Sequence, residues 1–332
     1  MKRRELLALT LLPSLAHAAR PWRIYAITYR GKTEVERGFV DYFASRGIAV
    51  EITWRDIALD PSKLPPLVEE IRREKPDLVH TWGTGVTLGI VGAWNAKDPS
   101  RFITDIPVVF SLVAAPVSTG IVTDLKSPGR AVTGVSHVAG LTAQLQAMAS
   151  YRPFRKIGML YSLNEPNSLA VLEELRQIGQ RQGFSVLATP FRVDAAGKSS
   201  GEGAAEIVRS FAAVGAGWLY MPPDSFLNTQ AKDAVIPAAL DAKLPVFAST
   251  EQLMAAGALL GLVSRYYNIG QFAAYKAEQI LVNRVPPQKI PVETLTRFAL
   301  QINLPVARRL EVLPPLDMFN YAELIGDASR VP

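Results

Sequence analysis

The chain has 332 residues, a formal net charge of +6 and no cysteine, and 48% of its residues are hydrophobic. The absence of cysteine excludes a disulfide framework, a thiolate nucleophile and a lipid anchor on an N-terminal cysteine. The basic residues are scattered and form no run interleaved with aromatic residues, so no nucleic-acid partner is predicted.

The first 18 residues have the order of features that defines an export signal. Basic residues from Lys2 to Arg4 precede an apolar run from Leu6 to Leu15, and residues 16–18 form a small-x-small cleavage site. We expect cleavage after Ala18, by the general or the twin-arginine route, and a mature protein in the periplasm. The rest of the chain is long enough for about two domains. No other apolar run approaches the ~20 residues that a membrane helix needs.

Beyond the signal, short strands alternate with helical patterns, which is typical of parallel sheets joined by crossover helices. A first set of strands is predicted near Arg23 to Tyr29, Ile48 to Thr53, Leu78 to Trp82, Val108 to Leu112 and Val132 to Ser136. The helix over residues 34–46 places Val35, Phe39 and Phe43 on one face, and Gly47 ends it.

A second set of strands begins at Lys156. In its first strand, Ile157, Met159 and Tyr161 alternate with Gly158, Leu160 and Ser162. The other members are Ser185 to Ala188, Trp218 to Met221, Val246 to Ser249 and Leu259 to Val263, followed by a helix from Tyr267 to Val282 and a last strand from Arg297 to Asn303. Two similar sets predict an α/β protein of two Rossmann-like lobes with parallel sheets. The carboxyl ends of both sets of strands would face a cleft, which is where such sheets bind ligands.

The stretch from Lys156 to Ser168 takes a strand through a turn into a helix. Asn167 or Ser168 is predicted to be the N-cap of that helix, because short polar side chains accept from the first free N–H groups. A helix N-terminus offers unpaired donors and the positive end of a dipole. A carboxylate or phosphate group of a ligand is therefore expected to dock here.

The sequence holds little that catalysis would need. Beyond the signal there are two histidines, and no serine stands in a G-x-S-x-G elbow. His80 lies inside an apolar strand and is interpreted as a core residue, whereas His137 stands at a strand end. No metal-ligand spacing is present, and the glycines at 83, 85 and 89 miss the G-x-G-x-x-G pattern by one position. We predict no enzyme activity, metal or cofactor.

The candidate ligand-binding residues follow strand ends in both lobes. They are Tyr29, Trp82, Thr84, Ser111, Ser136, His137, Asn164, Asn167, Ser168, Asp224, Ser225, Ser249, Thr250 and Tyr266. Asn167 and Ser168 would anchor an acidic group. Asp224, expected to be solvated when no ligand is bound, would pair with a ligand amine. The other hydroxyl side chains would form neutral hydrogen bonds, and the aromatic rings would stack on an apolar ligand body.

Several blocks of sequence resemble a known protein family. They are IPVVFSLVAAPVSTGIVTDLKSPGRAVTGVSH, KIGMLYSLNEPNS, WLYMPPDS, LPVFASTEQLMAAGAL, RYYNIGQFAAYKAEQIL and IPVETLTRFALQIN. In content, order and spacing they are similar to exported ABC-transporter substrate-binding proteins with the type I periplasmic-binding fold, in a group some of whose members bind aromatic amino acids. The resemblance covers nearly the whole mature chain.

The resemblance implies two lobes between which the chain crosses three times, near Ser136, Arg265 and Pro286. Residues 19–136 and 266–286 would form the N-terminal lobe, residues 137–265 and 287–304 the C-terminal lobe, and residues 305–332 a tail. The protein would be a monomer that binds a small molecule in the cleft and delivers it to an ABC permease in the inner membrane.

The ligand is less sharply implied, because the chain departs from the family pattern at positions around the cleft. Ala114-Ala115 stands where Thr-Asp is common, His137 replaces a frequent acid or amide, and Arg265 replaces a common acid. Loss of acids weakens the case for an ammonium group on the ligand and favours a carboxylate-bearing or apolar molecule. Two alternative functions remain open: a ligand-sensing module for a membrane signalling partner, and an exported α/β hydrolase.

Overall fold

The computed structural model describes residues 20–96, 98–195 and 197–326, so the predicted signal peptide lies outside the described residues. The strands are β1 (Trp22–Thr28), β2 (Val50–Asp56), β3 (Leu78–Trp82), β4 (Val108–Val113), β5 (Val132–Ser136), β6 (Lys156–Tyr161), β7 (Ser185–Pro190), β8 (Arg192–Val193), β9 (Ser199–Ser200), β10 (Trp218–Met221), β11 (Val246–Ala248), β12 (Leu260–Val263), β13 (Glu293–Thr294), β14 (Ala299–Asn303) and β15 (Glu323–Ile325). The α-helices are α1 (Glu34–Arg46), α2 (Leu64–Glu74), α3 (Gly83–Val91), α4 (Leu141–Tyr151), α5 (Pro166–Gln182), α6 (Ala204–Ala213), α7 (Lys232–Asp241), α8 (Glu251–Ala255), α9 (Tyr266–Leu281) and α10 (Leu304–Leu310).

The strands form one main sheet in each lobe. The first sheet has the order β13-β5-β4-β3-β1-β2, and its neighbours are parallel. The second has the order β15-β14-β12-β11-β10-β6-β7, with β14 antiparallel to β12 and the other pairs parallel. Helices cover both faces, so strands such as β3 and β4 are buried throughout. The predicted fold class is confirmed.

Local sequence sets the limits of the helices that flank the cleft. Helix α1 begins with a capping box between Thr33 and Glu36 and ends at Gly47, whose φ of 65° is left-handed. Helix α9 lies against α1, and Gly38 and Gly270 allow the two backbones to come into contact. This contact holds α9 on the first lobe, with its N-terminus at the cleft.

The chain passes between the lobes at residues 137–140, 264–265 and 295–298. The predicted third crossing near Pro286 is wrong, because β13 pairs with β5 of the first sheet. Thr133 Oγ1 donates to the carbonyl of Ile290 at 2.8 Å, and Lys276 Nζ donates to that of Pro291 at 2.7 Å. These bonds keep residues 287–294 on the first lobe.

The segment after residue 304 is part of the second lobe and not a separate tail. Helix α10 and the following turn place Val306, Leu310 and Met318 in the core of this lobe. Strand β15 extends the sheet beside β14. The predicted boundary is therefore corrected for residues 305–326; the remaining six residues lie outside the described ranges.

Candidate functional site

The carboxyl ends of the two sheets face each other across a pocket that both lobes line. This inner pocket is lined by Trp82, Gly83, Thr84, Leu112, His137, Asn167, Pro223, Asp224, Ser225, Asn228, Thr229, Thr250, Gln252 and Tyr266. An outer crevice adjoins it at Asn167 and Ser225, and a hinge-side crevice adjoins it at Pro223. The cleft is thus continuous.

Trp82 forms much of the first-lobe wall. It ends β3, and its ring lies parallel to that of Tyr29 with the centroids 5.9 Å apart. The guanidinium of Arg30 lies 5.5 Å from the Trp82 ring centroid. The Trp82 side chain is buried, and its Nε1 atom has no hydrogen-bond partner among the described residues. The wall therefore presents a buried donor beside a cation.

Helix α3 begins directly after Trp82 and has no side-chain cap. Gly83 opens the turn with a φ of 80°, a conformation that favours glycine. Thr84 accepts a hydrogen bond from the N–H of Ala114 at 3.2 Å, which ties this turn to the loop after β4. The first N–H groups of α3 therefore remain available at the pocket, where they favour an anion.

His137 lies in the first crossing segment and Tyr266 directly follows the second, and their ring centroids are 6.4 Å apart. Burial lowers the pKa of His137 to about 4, although the backbone of Val113 acts in the opposite direction and raises this pKa. The ring is therefore neutral at pH 7. Its Nδ1 atom has no hydrogen-bond partner within the described ranges. Burial also raises the pKa of Tyr266 to about 12.

The start of helix α5 differs from its prediction. Glu165 occupies the N-cap position without capping the helix, and Pro166 is its first residue. The Ser168 hydroxyl donates to Asp224 Oδ2 at 2.6 Å, and Asn167 Nδ2 donates to the carbonyl of Pro223 at 2.7 Å. Neither residue is the N-cap, because both side chains turn inward to hold the loop after β10.

Asp224 is fully buried and its carboxylate is saturated with hydrogen bonds from the protein. Oδ2 accepts from Ser162 N at 2.8 Å and from the Ser168 hydroxyl, and Oδ1 accepts from the Ser162 hydroxyl at 3.0 Å and from Leu227 N at 2.9 Å. The expectation of a solvated carboxylate is wrong. Asp224 links β6, α5 and the π-helical turn that follows residue 226, and it lines the pocket from within this network.

Glu165 is a functional-site candidate that the sequence analysis missed. Its carboxylate accepts from the N–H groups of Ser225 and Phe226 at 2.7 and 2.9 Å, and it lines the outer crevice. Burial is the main cause that raises the pKa of Glu165 to about 8, and the nearby negative charge of Asp224 is the second cause. The position of Glu165 before a proline indicated only a turn.

We expect the Glu165→Gln substitution to flatten the pH dependence of stability between about pH 6.5 and 8. In this window the folded protein keeps a proton that the unfolded chain, with a glutamate pKa near 4.5, has released. The free energy of unfolding of the wild type should therefore fall as pH rises, by at most about 1.4 kcal/mol per unit. His80 and His137 have lowered pKa values in the folded protein and an ordinary value near 6.5 in the unfolded chain. Their protonation therefore changes stability below this window.

Urea unfolding at several pH values measures this slope. Glu173→Gln, on the exposed face of the same helix, controls for the loss of a carboxyl group. Equal slopes in the wild type and in Glu165→Gln would contradict the assignment of a retained proton to Glu165.

The predicted residues are distributed over the inner pocket, its neighbouring crevices and its supporting layer. Those that line the inner pocket are Trp82, Thr84, His137, Asn167, Asp224, Ser225, Thr250 and Tyr266. Tyr29 and Asn164 line the outer crevice, and Ser136 lines the hinge-side crevice. Ser111, Ser168 and Ser249 are fully buried and line none of the three.

The second-lobe wall also contains residues that sequence reasoning did not identify, including Asn228 and Gln252. Thr250 caps α8 and donates to Asn228 Oδ1 at 2.6 Å. Asn228 lies within the π-helical turn, a distortion that is common at functional sites. No turn or strand pattern in the sequence marks this residue.

Among the described residues that line the pocket, no accessible nucleophile lies next to a general base. His80 Nε2 lies 2.9 Å from the Ser111 hydroxyl, but both side chains are buried, and burial lowers the pKa of His80 to about 3. Within the described ranges, no group of three or more acidic, histidine or cysteine residues could hold a metal ion. No helix there is long and apolar enough to cross a membrane.

Known proteins similar to this chain have the same two-lobed fold. A "conserved domain protein" from Vibrio cholerae superposes with a TM-score of 0.79 at 21% identity, covering 92% of this chain and 99% of that one. An "ABC domain in complex with L-Trp" from Streptococcus pneumonia superposes with a TM-score of 0.77 at 22% identity, covering 91% and 100%.

Sequence comparison agrees with the structural likeness. A tyrosine-binding protein from Clostridioides difficile is 24% identical over 288 residues, which is 84% of this chain and 77% of that protein. The sequence model of the family described as "ABC transporter substrate binding protein" matches residues 27–324. This match spans both lobes and the crossings between them, and the chain therefore belongs to the ABC transporter substrate-binding protein family.

Proposed function

We propose that this protein closes its two lobes on a small carboxylate-bearing organic molecule, such as an amino acid or a related acid, and delivers it to an ABC permease in the inner membrane. In this proposal the protein is exported to the periplasm after cleavage behind Ala18. It acts as a monomer and catalyses no reaction. The relatives that bind L-Trp or tyrosine support a ligand of this size and class.

The inner pocket between the lobes is the observation that carries the proposal. Its wall combines the start of α3 from the first lobe with Asn228 and Gln252 from the second, so that a ligand would touch both lobes at once. Binding energy gained from both walls would favour the closed arrangement over an open one. The uncapped N-terminus of α3 supplies a site for the carboxylate, a role that the bonded Ser168 hydroxyl does not fill.

We expect one ligand in a panel of amino acids and carboxylic acids to raise the melting temperature. A ligand that binds only the folded state stabilises it by about 2.7 kcal/mol at a concentration one hundred times its Kd. Differential scanning fluorimetry would identify the ligand, and calorimetry would measure its Kd. A broad panel without any shift would contradict the proposal.

Gln252→Ala tests the location of the site in the same assay. The Gln252 side chain lines the pocket and forms no hydrogen bond within the described part of the chain, so its loss should lower affinity several-fold without lowering stability. Gln182→Ala, at the exposed end of α5, is the matched control. Equal Kd values for the two variants would place the ligand elsewhere.

A further inference from the structure

Two polar atoms of the inner pocket have no partner among the described residues. The side chains of Trp82 and His137 are 8% and 6% exposed, and neither Trp82 Nε1 nor His137 Nδ1 forms a hydrogen bond. Buried polar groups are normally paired, since an unmade hydrogen bond is costly. Because both residues line the pocket, a ligand is the natural partner for both atoms.

The two atoms require different groups on the ligand. Indole Nε1–H only donates, so the ligand must place an acceptor there. Burial keeps His137 neutral at pH 7, so one ring nitrogen carries a proton and the other does not. Nδ1 has no partner, and it donates or accepts according to the tautomer. A hydroxyl group both donates and accepts, so it can pair with Nδ1 in either tautomer.

Two positively charged features adjoin Trp82. Arg30 lies over the Trp82 ring and forms no ion pair or hydrogen bond within the described ranges. The N-terminus of the nine-residue helix α3 adjoins the same ring and has no side-chain cap. Both features stabilise a carboxylate at Trp82 Nε1 and disfavour a cation beside it.

An ammonium group would find no free counter-charge in the inner pocket. Asp224, the acid among its lining residues, is 0% exposed and already accepts four hydrogen bonds. Glu165 lies in the outer crevice, bonded to two backbone N–H groups, and its raised pKa leaves it largely neutral at pH 7. Glu251, beside the hinge, accepts from the N–H of Tyr266 and pairs with Arg265. A desolvated ammonium group would therefore be costly.

We propose that the inner pocket selects a 2-hydroxy acid over the 2-amino acid and the 2-oxo acid that carry the same side chain. The carboxylate binds at Trp82 Nε1 and the start of α3, and the 2-hydroxyl pairs with His137 Nδ1. This assignment rests on the proposed function, because it names the ligand class of the same pocket. An oxo group only accepts and an ammonium group only donates, so each pairs with Nδ1 in one tautomer alone. The ammonium group also brings a second cation into a pocket that Arg30 adjoins at Trp82.

Calorimetry with matched triplets tests the selection. L-Phenyllactate, L-phenylalanine and phenylpyruvate form one triplet. The hydroxy, amino and oxo acids with a methyl side chain form a second triplet, and those with an isobutyl side chain form a third. In the triplet that binds most tightly, we expect the hydroxy acid to bind roughly tenfold more tightly than the other two members. An amino acid or oxo acid that binds as tightly as its hydroxy acid would overturn the selection and leave the proposed function standing. Failure of every carboxylate to bind would overturn the proposed function.

Two variants test the residues that carry the argument. His137→Leu should bring the affinities for L-phenyllactate and 3-phenylpropionate, which lacks the hydroxyl, to about the same value, because the partner of the hydroxyl is lost. Arg30→Gln should weaken all three members of a triplet by roughly tenfold at low salt. Arg73→Gln makes the same charge change at an exposed site and should leave the affinities unchanged.

Melting temperatures would show that each variant is folded. A wild-type preference for the hydroxyl that persists in folded His137→Leu would remove His137 from ligand selection. Equal affinities in Arg30→Gln and Arg73→Gln would remove Arg30.

Discussion

Asp224→Asn is expected to lower the free energy of unfolding by about 2–4 kcal/mol. Each carboxylate oxygen of Asp224 accepts one backbone N–H, from Ser162 on Oδ2 and from Leu227 on Oδ1. An asparagine side chain has one acceptor and one donor end. In either orientation, its NH₂ group would face a backbone N–H that has no other partner in this network.

The loss should appear without ligand, because these donors belong to the protein. Urea or thermal unfolding of the ligand-free variant measures the effect. Asp233→Asn, which changes an exposed carboxylate beside Lys232, should change stability by less than about 0.5 kcal/mol. A stability of Asp224→Asn within that range would show that Asp224 does not hold β6, α5 and the loop after β10 together.

Gly270→Ala is expected to lower the free energy of unfolding by about 2–3 kcal/mol. A Cβ atom at position 270 would lie 1.9 Å from the carbonyl oxygen of Val35 and 2.9 Å from the N atom of Phe39. These are backbone atoms of α1, so no side-chain rotation relieves the overlap and the helices must separate.

Separation of α1 and α9 should also reduce ligand affinity, because Tyr266 at the start of α9 lines the inner pocket. Thermal unfolding and calorimetry would measure both effects. Gly140→Ala is the matched control, since Gly140 has a φ of −53° and no heavy atom lies within 4 Å of the point that an alanine Cβ would occupy there. A Gly270→Ala variant as stable as Gly140→Ala would contradict the close helix contact.

Sequence patterns predicted the buried strands most accurately. The limits of β3, β5 and β10 agree with those expected and β6 begins at the expected Lys156, because these buried strands are short, mainly apolar segments bounded by turn residues. The two-residue strand β13 is too short to show an alternation of apolar and polar residues. Its position on the first sheet depends on pairing with β5 and on bonds from Thr133 and Lys276. The third crossing therefore could not be located from local pattern.

The sequence by itself determined the two-lobed α/β fold and the end of each sheet where the cleft lies, because strand periodicity and turn chemistry are encoded within a few neighbouring residues. The tertiary structure decided what each polar residue in the cleft does. Ser168 and Asp224, which are 56 residues apart, bind each other and hold the lobe together. Trp82 Nε1 and His137 Nδ1 have no partner within the described ranges. Hydrogen-bond satisfaction depends on distances between remote segments, and only the folded chain brings those segments together.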